Sequence, residues 1–225
     1  FHFLKDSLYR CLTLTKQLLW INILSDGIII HVIFNKKAVK YMAYNCKECI
    51  ILETERLYMR ELNNNDYKSL CKMLMDKYVM YAYEHAFSED EARQWLERQI
   101  ERYKNGFGLW AVILKNSEQL IGQCGITIQD CCGKEVLEIG YIFNRSFWHK
   151  GYAIEAAKSC RDYAFDTLNA NEVFSIIRDN NFPSMNVAIK NHMLIRGSFV
   201  KHYYNMDMPH FIFSIKKSEY GRLKK

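Results

Sequence analysis

Apolar residues recur along the chain with two periods, and the points where one period gives way to the other mark out the predicted elements. Arg56-Leu57-Tyr58-Met59-Arg60-Glu61-Leu62 alternates, which predicts a strand with Leu57, Met59 and Glu61 on one side. Asn63 to Asp66 supplies a turn and an N-cap for a helix through Tyr67, Leu70 and Leu74. Ser88 and Glu91 have capping-box spacing and open a second helix through Ala92, Trp95, Leu96, Gln99 and Tyr103, which Asn105-Gly106 closes. Leu109–Leu114 and Leu120–Ile128 read as a hairpin across the polar turn 115–119. A second turn, around Asp130–Lys134, leads into an apolar run from Val136 to Phe143 that reads as a buried strand.

Beyond that run the period changes to threes and fours through Ala157, Cys160, Ala164 and Leu168, the spacing of a helix. Glu172–Arg178 is short and β-branched, a further strand. Asn181 to Ser184 turns into a helix over Met185–Asn191, with Ser184 a plausible cap and Asn181 a plain turn residue. Ile195–Tyr204 and His210–Lys216 finish as a hairpin. Three consecutive antiparallel strands followed by a helical crossover give an α/β fold with a mixed, mostly antiparallel sheet flanked by helices.

Residues 1–49 are the least legible. A helix near Leu4–Leu24 and a strand at Ile28–Phe34 fit them better than one membrane span, because Asp26 and Gly27 interrupt the apolar run. No convincing secretory signal is present. Cys46-Lys47-Glu48-Cys49 is a lone C-x-x-C, and Cys131-Cys132 are adjacent, so neither makes the usual zinc spacing. We therefore expect no metal.

Composition adds bounds. With 225 residues the chain holds one ordinary domain and an appendage, and 49% hydrophobic content is ample for a core. Eight cysteines fit free thiols of a reducing, cytoplasmic setting. The formal charge of +6 suits an anionic cofactor. No Arg/Lys-dense run interleaved with aromatics points to nucleic acid, and none of the segments points to a membrane.

The chemistry concentrates where the strand 136–143 meets the helix that follows. Asn144-Arg145-Ser146-Phe147-Trp148-His149-Lys150-Gly151-Tyr152-Ala153-Ile154-Glu155-Ala156-Ala157 makes a strand, a short basic turn and a helix start. Such a join leaves several backbone N–H groups unpaired at the positive end of the helix dipole, which suits a phosphate. Gly151 lets a ligand approach the backbone.

Glu138-Ile139-Gly140-Tyr141, then Trp148 to Ala153 with Glu155-Ala156, resembles the coenzyme A loop of the GNAT N-acetyltransferases, and within them the RimJ/RimL type that acetylates N-terminal amines of ribosomal proteins. Asn181-x-x-Ser184-x-x-Val187-Ala188-x-Lys190 resembles the family's second motif. The resemblance covers about residues 50–217, so residues 1–49 are expected to be an extension of unknown role and 50–225 the GNAT domain. It implies the GNAT fold, with acetyl-CoA held by Ile142, Phe143, His149, Lys150, Gly151, Tyr152, Ala153, Ile154 and Asn181, and with Ser184 facing the thiol arm. It also implies a primary-amine acceptor, a protein N-terminus or a small molecule, and allows a homodimer.

Two positions depart from the pattern. The wider family often has a Tyr as general acid for the thiolate where this chain has Ala188, so Ser184 or a water would have to serve. His192 stands where Gly is usual, just past the helix end.

Glu138 is the candidate base. A carboxylate on a central strand is costly unless it is partnered or lines a wet cleft. The competing explanation is a salt bridge to an Arg; His85, Glu84 and Tyr81 are alternative site residues. The resulting expectation is an acetyl-CoA-dependent N-acetyltransferase acting by direct attack in a ternary complex. A catalytically inactive CoA-binding or regulatory module is the main alternative, and a nucleic-acid-binding α/β domain a third.

Overall fold

The computed structural model describes residues 50–203 and 205–223, so the expectations for residues 1–49 lie outside the described residues. Eight strands form one sheet: β1 (Ile50–Glu53), β2 (Leu57–Arg60), β3 (Leu109–Leu114), β4 (Gln119–Cys131), β5 (Lys134–Phe143), β6 (Glu172–Arg178), β7 (Leu194–Tyr203) and β8 (Met206–Lys216). Their order is β1-β2-β3-β4-β5-β6-β8-β7. Every neighbouring pair is antiparallel except β5 with β6. The α/β class and the mixed, mostly antiparallel sheet are as expected.

Five helices flank it: α1 (Tyr67–Leu74), α2 (Glu89–Arg102), α3 (Tyr152–Asp166), α4 (Phe182–Lys190) and α5 (Lys217–Leu223). Ser88 and Glu91 make the expected capping box of α2. Asn63 and Asp66 form another, around a 3-10 turn that runs into α1. Among the described residues, no helix is long and apolar enough to cross a membrane.

The sheet is covered on both faces, which is why most strands read as continuous apolar runs rather than clean alternations. On one face Trp110, Cys124, Ile139, Phe143 and Val173 pack against α3, whose Ala156, Ala157, Cys160 and Ala164 are fully buried. Three alanines in this seam allow the helix to lie close to the strands. On the opposite face Ala111, Ile113 and Ile142 meet Leu70, Met73 and Leu74 of α1 and Leu96 of α2.

The edges of several elements differ from expectation. Glu61 lies past the end of β2 and is exposed, so only Leu57 and Met59 are inward. Leu168 follows α3 instead of closing it. Helix α4 starts three residues early, because Asn181 and not Ser184 is its N-cap: the Asn181 side chain accepts from Ser184 N–H at 3.2 Å, and Pro183 sits in the first turn. The β7–β8 hairpin is as expected, but β8, not β7, lies against β6.

His192 adopts φ +62° just beyond α4, the left-handed turn that the sequence pattern implied at this position. A Cβ in this conformation costs about 1 kcal/mol relative to glycine. His192→Gly should therefore raise the melting temperature by roughly 2–4 °C for a domain of this size. Calorimetry that shows no rise would mean the His192 side chain makes a compensating contact.

Candidate active site

The parallel pair β5–β6 is the weak seam of the sheet. The two strands register only at Glu138 and Phe174, whereas β6 and β8 pair from Glu172–Lys216 through Arg178–His210. Side chains stand in for the missing ladder. The Glu138 carboxylate accepts from Ile176 N–H at 3.0 Å, and the Ser175 hydroxyl donates to the Ile139 carbonyl at 2.9 Å. From Gly140 to Phe143 the β6-facing edge of β5 therefore has no ladder partner. In open α/β sheets such a crevice at the carboxyl ends of parallel strands is where ligands enter.

At the end of β5 the chain turns through Arg145–Phe147, and Trp148 Nε1 donates to the Phe143 carbonyl at 2.8 Å. His149 and Gly151 then both take left-handed backbone, φ +60° and +82°. Gly151 is the N-cap of α3 and supplies no side-chain cap. The first backbone bond of the helix runs from Glu155 N–H to the Gly151 carbonyl, and none of the turn's hydrogen bonds uses the N–H groups of His149 to Ile154. Successive free donors at a helix N-terminus, beside the exposed side chains of His149 and Lys150, fit a diphosphate.

The loop is braced by Thr54 and by Arg56, the latter read from the sequence only as the start of a strand. Arg56 donates through Nη1 to the Lys150 carbonyl at 3.0 Å and pairs with Glu155 at 2.6 Å. Its guanidinium lies 4.6 Å from the centre of the Tyr152 ring. Thr54 Oγ1 and Arg56 N–H both donate to Glu155, at 2.6 and 2.9 Å. Burial alone would raise the Glu155 carboxyl, but these donors outweigh it and hold the group below its ordinary value. Glu155 is thus the post that ties the β1–β2 turn to the cofactor loop. The sequence signal was Glu155 itself, whose partner a hundred residues upstream no local pattern reveals.

Glu138 faces the side of the sheet that carries α1 and α2, because Ile142 on the same side of β5 packs there. It pairs with no Arg within ion-pair distance among the described residues, so the salt-bridge explanation is not what holds it. Burial raises its carboxyl above the ordinary range, partly offset by the Ile176 N–H and by the fields of Lys201 and Arg102. Beside it lies the phenol of Tyr83, which is pushed up by burial first and then by the charge of Glu138.

The segment between α1 and α2 reaches across to the far side of the split. Tyr81 donates to Asn181 Oδ1 at 3.0 Å, and Arg178 Nη1 donates to the carbonyls of Ala82 and Tyr83 at 3.3 and 3.4 Å. Tyr141 spans the split on the other face, donating to the Ser184 carbonyl at 2.8 Å. Asn181 thus uses its oxygen for Ser184 N–H and Tyr81, and none of these bonds involves its amide nitrogen. Of the alternative site residues, His85 pairs with Glu91 at the start of α2. Tyr81 therefore joins the site, and its link to Asn181 was invisible in the sequence.

The chain is similar to several known proteins. A model of the acetyltransferase (GNAT) domain matches residues 56–194. The uncharacterized protein YkkB of Bacillus subtilis is 34% identical over 142 residues, 62% of this chain and 82% of that protein. The uncharacterized N-acetyltransferase YnaD of the same organism is 31% identical over 151 residues, 67% of this chain and 86% of that one. The crystal structure of a GNAT-family acetyltransferase from Bacillus anthracis superposes with a TM-score of 0.65 at 26% identity, covering 75% of this chain and 99% of that one. The split strands and the donor-lined turn thus sit inside the matched span, and the chain belongs to the GNAT acetyltransferases, enzymes that transfer the acetyl group of acetyl-CoA to an amine.

Proposed function

We propose that this protein is an N-acetyltransferase of the RimJ/RimL type, with Glu138 as the base that frees the acceptor amine. The observation that carries this reading is the Glu138 carboxylate, raised by burial and standing where the β5–β6 ladder breaks. A raised carboxyl is a better proton acceptor near neutrality than an ordinary glutamate. Freeing an α-amine at pH 7 costs about 1.4 kcal/mol, against about 4.6 for a lysine amine. A site with one carboxylate handles the former more easily, which favours an N-terminal or similarly weak amine.

In this reading the N–H groups from His149 to Ile154 bind the diphosphate of acetyl-CoA, and the open edge of β5 at Ile142 and Phe143 orients the thioester arm. Asn181 holds that arm from the β6 side. The amine attacks the thioester carbonyl directly, Glu138 takes the amine proton, and the thiolate leaves. Cys124 and Cys160 are poor carriers for an acetyl-enzyme: they lie 3.6 Å apart in the core, and burial raises the Cys160 thiol well above its ordinary value.

Ala188, where the family often carries its acid, is buried and has no proton to give. Ser184, in the first turn of α4, and Tyr81, bonded to Asn181, are two candidate proton sources. Burial raises the Tyr81 phenol and keeps it protonated, which favours Tyr81. Tyr81→Phe should lower kcat by tenfold or more, while Ser184→Ala leaves it within a few-fold, both with unchanged acetyl-CoA affinity. The reverse ranking would return the role to Ser184. The overall reading is tested by a thiol-release assay over peptides, polyamines and aminoglycosides; acetyl-CoA binding without acetylation of any amine would refute it.

A further inference from the structure

Among the described residues, three partly or fully buried cations have a carboxylate partner: Arg60 pairs with Asp66 at 2.7 Å, Lys115 with Glu53 at 2.8 Å and Arg161 with Asp162 at 2.8 Å. Three others lack such a partner, and the fields of two of them, Arg102 and Lys201, reach Glu138. Arg102, Arg178 and Lys201 are each partly buried, and among the described residues none has a carboxylate within ion-pair distance. Arg102 donates only to the neutral Gln99 side chain, at 3.1 Å. Arg178 spends its Nη1 on two backbone carbonyls, and its Nε is buried without a partner. Lys201 has its ammonium 5.6 Å from the Phe199 ring and no ion pair.

Register puts these groups on one face. Phe174, Ile176 and Arg178 alternate with the inward Val173, Ser175 and Ile177 of β6, and so share the face of Glu138, their neighbour across the β5–β6 pair. On β8, Ile212 lies opposite Ile176 and His210 opposite Arg178; on β7, Phe199 lies opposite His210. Lys201 follows two residues on, on the same side. Arg102, in the last turn of α2, lies near enough to act on Glu138. The result is a floor of Phe174, Ile176, Ile212 and Phe199 with Glu138 at one side and unmatched cations around it. Glu84 and Asp179 also lie near, and act on Tyr83 and His210 respectively, yet neither reaches an ion pair with the three cations.

Resting on the acetyl-transfer reading, we propose that the acceptor is an amine that carries a carboxylate close by, and that Arg102 and Lys201 bind this carboxylate while the amine faces Glu138. Partly buried cations without an ion-pair partner are costly, and a ligand carboxylate is a group that would complete them. A polyamine brings several positive charges into the same field and is disfavoured, as like charges oppose each other across a recognition site. The position of Arg102 in the last turn of α2 also complements the helix dipole, but that explanation does not extend to Lys201 on a strand.

The test uses the full chain and three peptide amides, Ser-Asp-Gly, Ser-Asn-Gly and Ser-Lys-Gly, together with free serine, serinamide and spermidine. Acetylation of each is followed by thiol release. Binding of each to the CoA-loaded enzyme is followed by calorimetry. The Asp peptide should show kcat/KM and affinity at least tenfold above the Lys peptide, with the Asn peptide between them. Free serine outrunning serinamide would assign the carboxylate to the α-position; the Asp peptide outrunning free serine would assign it to a neighbouring side chain.

Arg102→Gln and Lys201→Gln should each shrink the Asp-over-Lys ratio several-fold at unchanged acetyl-CoA affinity, and Lys201→Glu should favour the Lys peptide. Equal binding of the three peptides, or spermidine as the tightest ligand, would overturn the inference. An enzyme that binds the Asp peptide selectively but acetylates nothing would contradict the role of Glu138 and leave the charge preference standing.

Discussion

Glu138→Gln is expected to lower kcat by roughly a hundredfold to ten-thousandfold while acetyl-CoA affinity stays near that of the parent enzyme. The substitution is clean because a glutamine oxygen still accepts from Ile176 N–H, so the contact that replaces the missing ladder survives. Only the basicity is lost. The fold should not suffer. Burial raises the carboxyl of Glu138 above its unfolded value, so its contribution to stability is fully present at low pH and is lost as pH rises through the folded value. Ionisation of the side chain therefore opposes folding, and the neutral amide removes that cost. Melting at pH 7 should be unchanged or higher in the variant.

The acid limb of the kcat/KM profile should lie above the ordinary glutamate range in the parent and flatten in the variant. Glu138→Ala is the contrasting control. It removes base and acceptor together and orphans the Ile176 N–H, at a cost of about 1–3 kcal/mol in stability. A Glu138→Gln enzyme that keeps most of its rate would make the carboxylate a purely structural acceptor, and an acetylated cysteine trapped with acetyl-CoA alone would exclude direct transfer.

Gly151→Asp is expected to weaken acetyl-CoA binding by at least tenfold, for three reasons that add. A residue with a Cβ at φ +82° is strained by about 1–2 kcal/mol, so the turn would rearrange. The new carboxylate would sit among the free N–H donors and repel the diphosphate. Its Cβ would lie 3.3 Å from Arg56 Nη2, so the new side chain would compete with Glu155 for the guanidinium that braces the loop. Gly151→Ala separates the terms, because it keeps the strain and omits the charge; its loss of affinity should be clearly smaller. Calorimetry showing parental affinity for acetyl-CoA in the Asp variant would move the diphosphate away from this turn.

The family match supports the enzyme reading over the inactive CoA-binding module that the sequence left as an alternative. The charge pattern around Glu138 also bears on the acceptor more directly than net charge does. A formal +6 spread over the whole chain says little. In the acceptor proposal, Arg102 and Lys201 near Glu138 bear on which kind of amine can approach.

What the sequence determined by itself was everything local. Alternation and three-to-four spacing depend on neighbours a few positions apart, so the strands at 109–114 and 172–178, the capping box at Ser88 and the crossover helix after Gly151 were all legible. The basic glycine turn was legible for the same reason: strand, left-handed residue and helix start occupy consecutive positions. Boundaries suffered where a cap competed with another, as when Asn181 rather than Ser184 began α4.

The tertiary structure alone decided the partnerships across the sheet. That Glu155 is held by Thr54 and Arg56, that Tyr81 meets Asn181, and that Lys201 and Arg102 act on Glu138 are consequences of strand order β5-β6-β8-β7 and of the chain between α1 and α2 folding across the split. These contacts join residues tens to about a hundred positions apart, and hydrogen-bond and ion-pair complementarity at such separations leaves no periodic trace in the chain. The sequence could therefore nominate Glu138 as a costly charge on a buried strand, but only the break in the β5–β6 ladder explains what that charge holds and why it stays there.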